Sequence, residues 1–167
     1  RVTGMEGARM LMRRAELSLR VNVTGGQLSD AYDPRNDVLH LSQGVASSAS
    51  VGALAIVAHE LGHAMQDEEE YAPMKIRSAL VAPVNIGSQL GIILFFVGFA
   101  LSSFAGASAL GQLVSWLGIV GFSLAVVFAL VTLPIEFNAS RRGLHLLSRS
   151  GLVAQADMKY ARRVLQA

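Results

Sequence analysis

One long uncharged stretch, from residue 78 to residue 135, dominates the hydrophobic pattern of this chain. A helix needs ~20 apolar residues to cross a bilayer, so the stretch has room for two crossings and a turn. We predict a transmembrane helical hairpin there, with helices at about 82–104 and 112–133 and a turn at 105–108. The rest of the chain is too short to cover two such helices in a soluble core. The protein is therefore expected to be integral to a lipid bilayer.

Helical periodicity appears on both sides of this stretch. A capping box at Thr3–Glu6 opens an amphipathic pattern that predicts a helix to about Leu17. Ser47-Ser48 is expected to cap a second helix, which ends near Asp67. A final amphipathic helix is predicted over residues 158–165.

Alternating apolar and polar residues predict short strands at about 19–23 and around 38–41. The sequence DPRN at 33–36 is a strong turn signal ahead of the second strand. We predict a small antiparallel β-sheet of two or three strands. The expected fold class is mainly α with this minor β component (α+β).

Composition narrows the possible function classes. The chain is 52% hydrophobic and 16% charged, which is short of charge for an ordinary soluble domain. It has no cysteine, which excludes a disulfide framework and a thiolate zinc site. The net charge of +2, with no basic run interleaved with aromatic residues, predicts no nucleic-acid partner. Residues 1–77 and 136–167 are expected to form one domain, interrupted by the hairpin.

A metal-binding pattern lies in the second predicted helix, where His59, Glu60 and His63 form H-E-x-x-H. Two imidazoles four residues apart lie on one helix face, one turn apart, and can bind one Zn²⁺ together. Glu60 lies about 100° further round the helix, within reach of a zinc-bound water. Zinc lowers the pKa of such a water towards ~7, so Glu60 is the candidate catalytic base.

Two histidines leave a catalytic zinc site incomplete, because such a site has three protein ligands and an open position. Glu136 is the only acidic residue between Glu70 and Asp157, and it directly follows the uncharged stretch. Pro134 would kink or restart the helix just before this carboxylate. We therefore predict a His₂Glu site that holds one Zn²⁺ per chain. The alternative is an interfacial salt bridge from Glu136 to an arginine.

Other side chains are candidates for supporting roles. Ser140 shares the predicted helix face of Glu136 and could hydrogen-bond an imidazole N–H. Gln66 shares the face of His59, either as a hydrogen-bond donor behind the metal ligands or as a rim residue. The nominees for an oxyanion donor are Tyr32, Asn138, Arg141 and Arg142. The strand around 38–41 is expected to pair with the substrate backbone.

Positive charge predicts the orientation of the hairpin. Lys75 and Arg77 precede it, and Arg141, Arg142 and Arg149 follow it. The turn between the two helices carries no charge. Because Lys and Arg accumulate on the cytoplasmic side, both open ends and the metal-binding helix are predicted to lie there.

Four segments together carry a resemblance to a known family: AHELGHA at 58–64, DAYDPRN at 30–36, VLHLS at 38–42 and LPIEFNASRR at 133–142. The combination resembles the YugP family of bacterial membrane zinc metallopeptidases, and it is more distantly similar to the HtpX and CAAX-prenyl-protease gluzincins. The resemblance implies a zincin-like core with zinc bound by His59, His63 and Glu136. It also implies Glu60 as the catalytic base and the bacterial plasma membrane as the location. Ser140 departs from the wider group, which has an aspartate at that position.

The predicted function is a membrane-integrated zinc endopeptidase that hydrolyses peptide bonds with a zinc-bound water assisted by Glu60. Its expected substrates are peptides or membrane-associated proteins. The alternative is a membrane scaffold or chaperone-like protein with a structural zinc, which would require a fourth protein ligand. Nothing in the sequence indicates the oligomeric state.

Overall fold

The computed structural model describes residues 2–26, 29–104 and 108–166, and it is mainly helical. Three short strands form a small sheet, and two long apolar helices follow one another in the chain. The elements in chain order are α1 (Gly4–Arg14), β1 (Arg20–Thr24), β2 (Ala31–Asp33), β3 (Val38–Ser42), α2 (Gln43–Ser47), α3 (Val51–Glu68), α4 (Ala72–Phe104), α5 (Ser108–Ser150), a 3₁₀ turn (Gln155–Asp157) and α6 (Met158–Val164).

The chain divides into two compact units. The first unit combines the chain up to Tyr71 with the chain from Ile135 onwards, so it holds the sheet, α1 to α3, the last part of α5, and α6. The second unit, Ala72–Pro134, consists of α4 and the first part of α5. The core of the first unit is formed by apolar side chains of several elements, and those that are fully buried include Leu11, Leu39, Leu61 and Leu147.

The capping box predicted at the start of α1 is present. The Thr3 hydroxyl accepts a hydrogen bond from the Glu6 N–H, and the Glu6 carboxylate accepts one from the Thr3 N–H at 2.9 Å. Both bonds satisfy N–H groups that a helix start leaves without partners. The helix ends at Arg14, earlier than the predicted Leu17, and Glu16 then adopts a left-handed conformation with φ 57°.

The sheet is mixed, so the prediction of an antiparallel sheet is wrong. Its strand order is β1-β3-β2, with β2 antiparallel to β3 and β1 parallel to β3. The DPRN turn joins β2 and β3 as a hairpin, which leaves the other edge of β3 open to β1. The segment 25–37 is long enough to bring the chain back in the parallel direction. As a result β3 is the central strand, and its Leu39 and Leu41 are fully buried.

Helix α3 begins later than predicted, at Val51. Its N-cap is Ser50, whose side chain accepts a hydrogen bond from the Ala53 N–H at 3.1 Å. Ser47 and Ser48 instead lie at the end of α2, a short helix that no apolar periodicity predicted. Several serines lie close together in this segment and are equally suited to an N-cap. The local sequence therefore does not determine which of them caps α3.

Helices α4 and α5 contain the two apolar stretches predicted from the sequence. Each holds an 18-residue window apolar enough to cross a membrane, and 6% of that window is buried. Both helices exceed their predicted spans, because α4 begins at Ala72 and α5 continues through Pro134 to Ser150 without restarting. The prediction followed apolarity alone, whereas a helix can extend into polar sequence beyond a bilayer. Residues 105–107 of the predicted turn lie outside the described residues.

The last part of α5 lies directly against α3, within the first unit. A Cβ added at Gly62 of α3 would overlap the backbone carbonyl of Ala139, and one at Gly143 of α5 would overlap that of Ala58. The two glycines therefore allow the helix backbones to touch at Ala58, just before the H-E-x-x-H segment, and at Gly62 within it. This close approach brings the side chain of Glu136 to the histidines.

Candidate metal centre

Three potential metal ligands converge where α3 meets α5. The Nε2 atoms of His59 and His63 lie 3.4 Å and 3.2 Å from Oε2 of Glu136. One nitrogen or oxygen from each residue falls within 4.8 Å of the others. The histidines project from successive turns of α3 with their rings edge to face, 4.8 Å between centroids. Within the described ranges, no other group of three or more His, Cys, Asp or Glu side chains is placed to hold a metal.

The second ring nitrogen of each histidine has its own partner. His59 Nδ1 lies 3.0 Å from the Ser140 hydroxyl, and His63 Nδ1 lies 3.0 Å from the Gln66 side-chain carbonyl. Because a carbonyl oxygen only accepts, His63 must donate through Nδ1–H, which leaves the lone pair of Nε2 free to bind a metal. The same tautomer of His59 can donate to Ser140. Two imidazole nitrogens and one carboxylate oxygen are a donor set that suits Zn²⁺.

Glu60 is oriented by the sheet. One of its carboxylate oxygens, Oε2, accepts a hydrogen bond from the backbone N–H of Tyr32 in β2 at 3.0 Å. Burial raises the pKa of Glu60, while His59, His63 and the Tyr32 N–H oppose that shift. A carboxylate with a raised pKa holds a proton more readily, as a general base must.

Gln66 ties α3 to the segment of α5 that carries Glu136. The side chain is fully buried, and its amide group donates to the Ile135 carbonyl at 3.0 Å and to the Asn138 side-chain carbonyl at 2.9 Å. Its own carbonyl contacts His63. A single side chain thus contacts one histidine and the backbone next to Glu136.

Replacing Gln66 with Ala is expected to weaken zinc binding by about 10- to 100-fold, the usual contribution of a hydrogen-bond partner behind a metal ligand. The affinity is measured by competition with a chromophoric chelator. Gln43, exposed at the start of α2, provides the matched control, because Gln43→Ala should leave the affinity unchanged. Equal affinity in both variants would mean that His63 is oriented without Gln66.

Three of the four nominees for an oxyanion donor make other hydrogen bonds, and the fourth, Arg141, lines a groove. The Tyr32 hydroxyl lies 2.9 Å from Asp67 and 3.1 Å from Asp37, and burial together with these carboxylates raises its pKa. Arg141 is exposed and lines a groove between α5 and α6. An oxyanion role for any of the four stays a prediction.

The other two nominees belong to one hydrogen-bonded chain. Arg142 donates to Asn138 at 2.7 Å and makes a bidentate ion pair with Glu69 at 2.6 and 2.7 Å. Asn138 lies two residues after Glu136, which places it about 200° further round α5. Its side chain nevertheless reaches Gln66, and through it the neighbourhood of the metal ligands.

Two histidines lie away from the candidate metal centre. His40 belongs to β3, where it pairs with Asn22 on one side and Ala31 on the other. His145 is exposed and lines the same groove as Arg141. The backbone N–H of Tyr32, by contrast, was missed by sequence reasoning, because no side-chain pattern reveals a backbone donor.

Comparison with known proteins points to the same kind of site, a zinc site. A family model described as "Putative neutral zinc metallopeptidase" matches residues 1–167, so the chain belongs to that family. The chain is also 36% identical over 166 residues to a Bacillus subtilis (strain 168) protein named "Putative membrane protease YugP". This alignment covers 99% of the present chain and 70% of the relative. No solved structure matches significantly.

These findings confirm the resemblance to YugP-type membrane zinc peptidases. The relative's name and the two long apolar helices both support a membrane protein. The group of His59, His63 and Glu136 supplies a place where a metal could bind.

Proposed function

We propose that this protein is a membrane-integrated zinc endopeptidase with a zincin-like core of the gluzincin type. The observation that carries the proposal is the convergence of His59, His63 and Glu136, with the acid Glu60 on the same helix as the histidines. Three protein ligands next to a half-buried acid are the composition of a hydrolytic zinc site. A structural zinc, as in a scaffold, is normally closed by four protein ligands, and the described residues supply three.

The donor set favours zinc over hard cations, which prefer oxygen ligands alone. We expect one zinc per chain. When bound, zinc would polarise the scissile carbonyl and lower the pKa of a water at the open position. Ser140 and Gln66 would hold the two imidazole rings in the required orientation.

Glu60 would move the protons of the reaction. The Tyr32 N–H holds its Oε2 atom, which leaves Oε1 to accept a proton from the attacking water. The carboxyl group would then deliver this proton to the leaving amine. Its raised pKa suits both roles, since the group must first accept a proton and then release it.

The substrate backbone would align along β2. The sequence-based prediction assigned this role to the strand at 38–41, but that strand, β3, has neighbours on both sides and offers no free edge. β2 is an edge strand, and its Tyr32 contacts Glu60. An extended peptide added to this edge by main-chain hydrogen bonds would run beside the candidate base.

The membrane segments support a proposal for the location and the substrates. Arginines and lysines flank the apolar helices, which supports a catalytic unit on the cytoplasmic side of a bacterial plasma membrane. A site so placed would act on peptides or on membrane proteins whose cytoplasmic segments can reach it.

Removal of zinc tests the proposal. Protein purified in detergent and dialysed against a chelator is expected to lose cleavage of an unfolded test protein to background. Addition of about one equivalent of zinc should restore it, because a single three-ligand site carries the reaction. Magnesium, which binds such a site poorly, is the control and should restore nothing. Unchanged cleavage by zinc-free protein would reject the proposal.

A further inference from the structure

A groove of about 940 Å³ lies between α5 and α6, within the first unit. One wall is the face of α5 that includes Phe137, Leu144 and Ser148, and the other wall comes from α6 and the residues on either side of it. Apolar side chains such as Leu144 and Met158 contribute to the lining. The groove is thus large enough for several side chains of an extended peptide.

The charge of the groove is of one sign. Four permanent cations line it, Arg141, Lys159, Arg162 and Arg163, and none of the lining residues is acidic. All four are exposed, and none forms an ion pair with a described carboxylate. A cleft lined by charges of one sign concentrates oppositely charged ligands. The ligand that fits this groove is therefore anionic.

The groove shares one residue, Ser140, with the surroundings of the candidate metal centre. Ser140 lines the groove, and its hydroxyl lies 3.0 Å from Nδ1 of His59. Phe137 lines it as well and directly follows the ligand Glu136 in the chain. A molecule bound in the groove would consequently lie next to Ser140, the hydrogen-bond partner of His59.

We propose that this groove binds an acidic segment of the peptide substrate. The inference rests on the proposed peptidase function and names its substrate class. Apolar and cationic side chains together match a peptide in which carboxylates alternate with apolar residues. An anionic lipid headgroup has matching charge too, but the continuity from the groove through Ser140 to His59 favours the substrate.

Peptide binding to an inactive variant tests this inference. Zinc-loaded Glu60→Gln protein in phosphatidylcholine nanodiscs is titrated with a labelled peptide of alternating Glu and Leu, and with its twin in which Gln replaces Glu. We expect the acidic peptide to bind about tenfold more tightly, because several cations act together. The double variant Arg162→Glu/Arg163→Glu should lose this preference. The control Arg13→Glu/Arg14→Glu changes the net charge equally and also lies in the last turn of a helix, at exposed residues. This control should keep the preference for the acidic peptide.

Each outcome decides the matter. A preference that survives reversal at Arg162 and Arg163 overturns the proposal, as does equal binding of the two peptides. If the reversed protein fails to fold, Arg141→Gln/Lys159→Gln is measured instead with the same expectation. The titration, followed by the fluorescence anisotropy of the labelled peptide, is repeated in phosphatidylglycerol nanodiscs. A groove that retains this lipid and does not prefer the acidic peptide is a lipid site. That result contradicts the proposal.

The peptidase function can fail separately. Because binding is measured without turnover, a peptide preference combined with no cleavage by wild-type protein would support the groove and reject the peptidase. Equal cleavage of both peptides by wild-type protein, with no difference in binding, would support the peptidase and reject the groove.

Discussion

Replacement of Glu60 by Gln is expected to lower kcat/KM for peptide hydrolysis by about 10³-fold, the range in which general acid–base catalysis contributes. The amide keeps the size of the side chain and can still accept the Tyr32 N–H bond, so the local fold should remain. It cannot take a proton from water at neutral pH. The zinc content should therefore stay near one per chain while turnover is lost. Steady-state kinetics and elemental analysis of the same preparation measure both quantities.

Glu68→Gln is the matched control for this experiment. Glu68 is an exposed acid near the end of the same helix, and it does not belong to the group of candidate ligands. Its replacement changes the net charge equally and should leave both kcat and KM unaltered. Activity of Glu60→Gln equal to that of Glu68→Gln would show that another group moves the proton.

Replacement of Glu136 by Ala is expected to remove zinc from the protein. Two imidazoles on one helix remain, and without the third ligand the bound fraction after dialysis should fall from about one to below about 0.1 per chain. Zinc should also cease to raise the Tm, because a ligand stabilises the folded state only as far as it binds. Elemental analysis and thermal unfolding with and without zinc provide the measurements.

His145→Ala serves as the control, since His145 lies on the same helix and is exposed away from the three candidate ligands. That variant should retain its zinc. Retention of zinc by Glu136→Ala would favour the other interpretation of Glu136, an ion pair at the end of the apolar segment. The metal site would then have to include a different third ligand.

The structure brings Glu136 to the two histidines, as sequence reasoning predicted, although 72 residues separate it from the motif. Two local properties made this prediction possible: the H-E-x-x-H spacing on one helix, and a lone acid at the end of an uncharged stretch. Ser140 was found by the same arithmetic, because residues four apart share a helix face. The bond from Tyr32 to Glu60 had no such signal, because it comes from the backbone of a distant strand.

The sequence by itself determined the features that depend on neighbours in the chain. These are the capping box at Thr3, the histidines at helical spacing and the two apolar helices. Periodicity and caps are local, so they can be read without knowing what packs against them. The predicted limits of the two apolar helices, however, marked where the apolar sequence ends and not where the helices end.

Only the tertiary structure decided which elements meet. The parallel pairing of β1 with β3 places β3 in the centre and leaves β2 as the edge strand beside Glu60. Ser50, rather than Ser47 or Ser48, is the serine that caps α3. Gly62 and Gly143 let two helix backbones touch, and Gln66 finds its partners across that contact. The physical reason is common to all of them: strand order, backbone contact and buried hydrogen bonds depend on residues far apart in the chain, and local propensity does not encode these pairings.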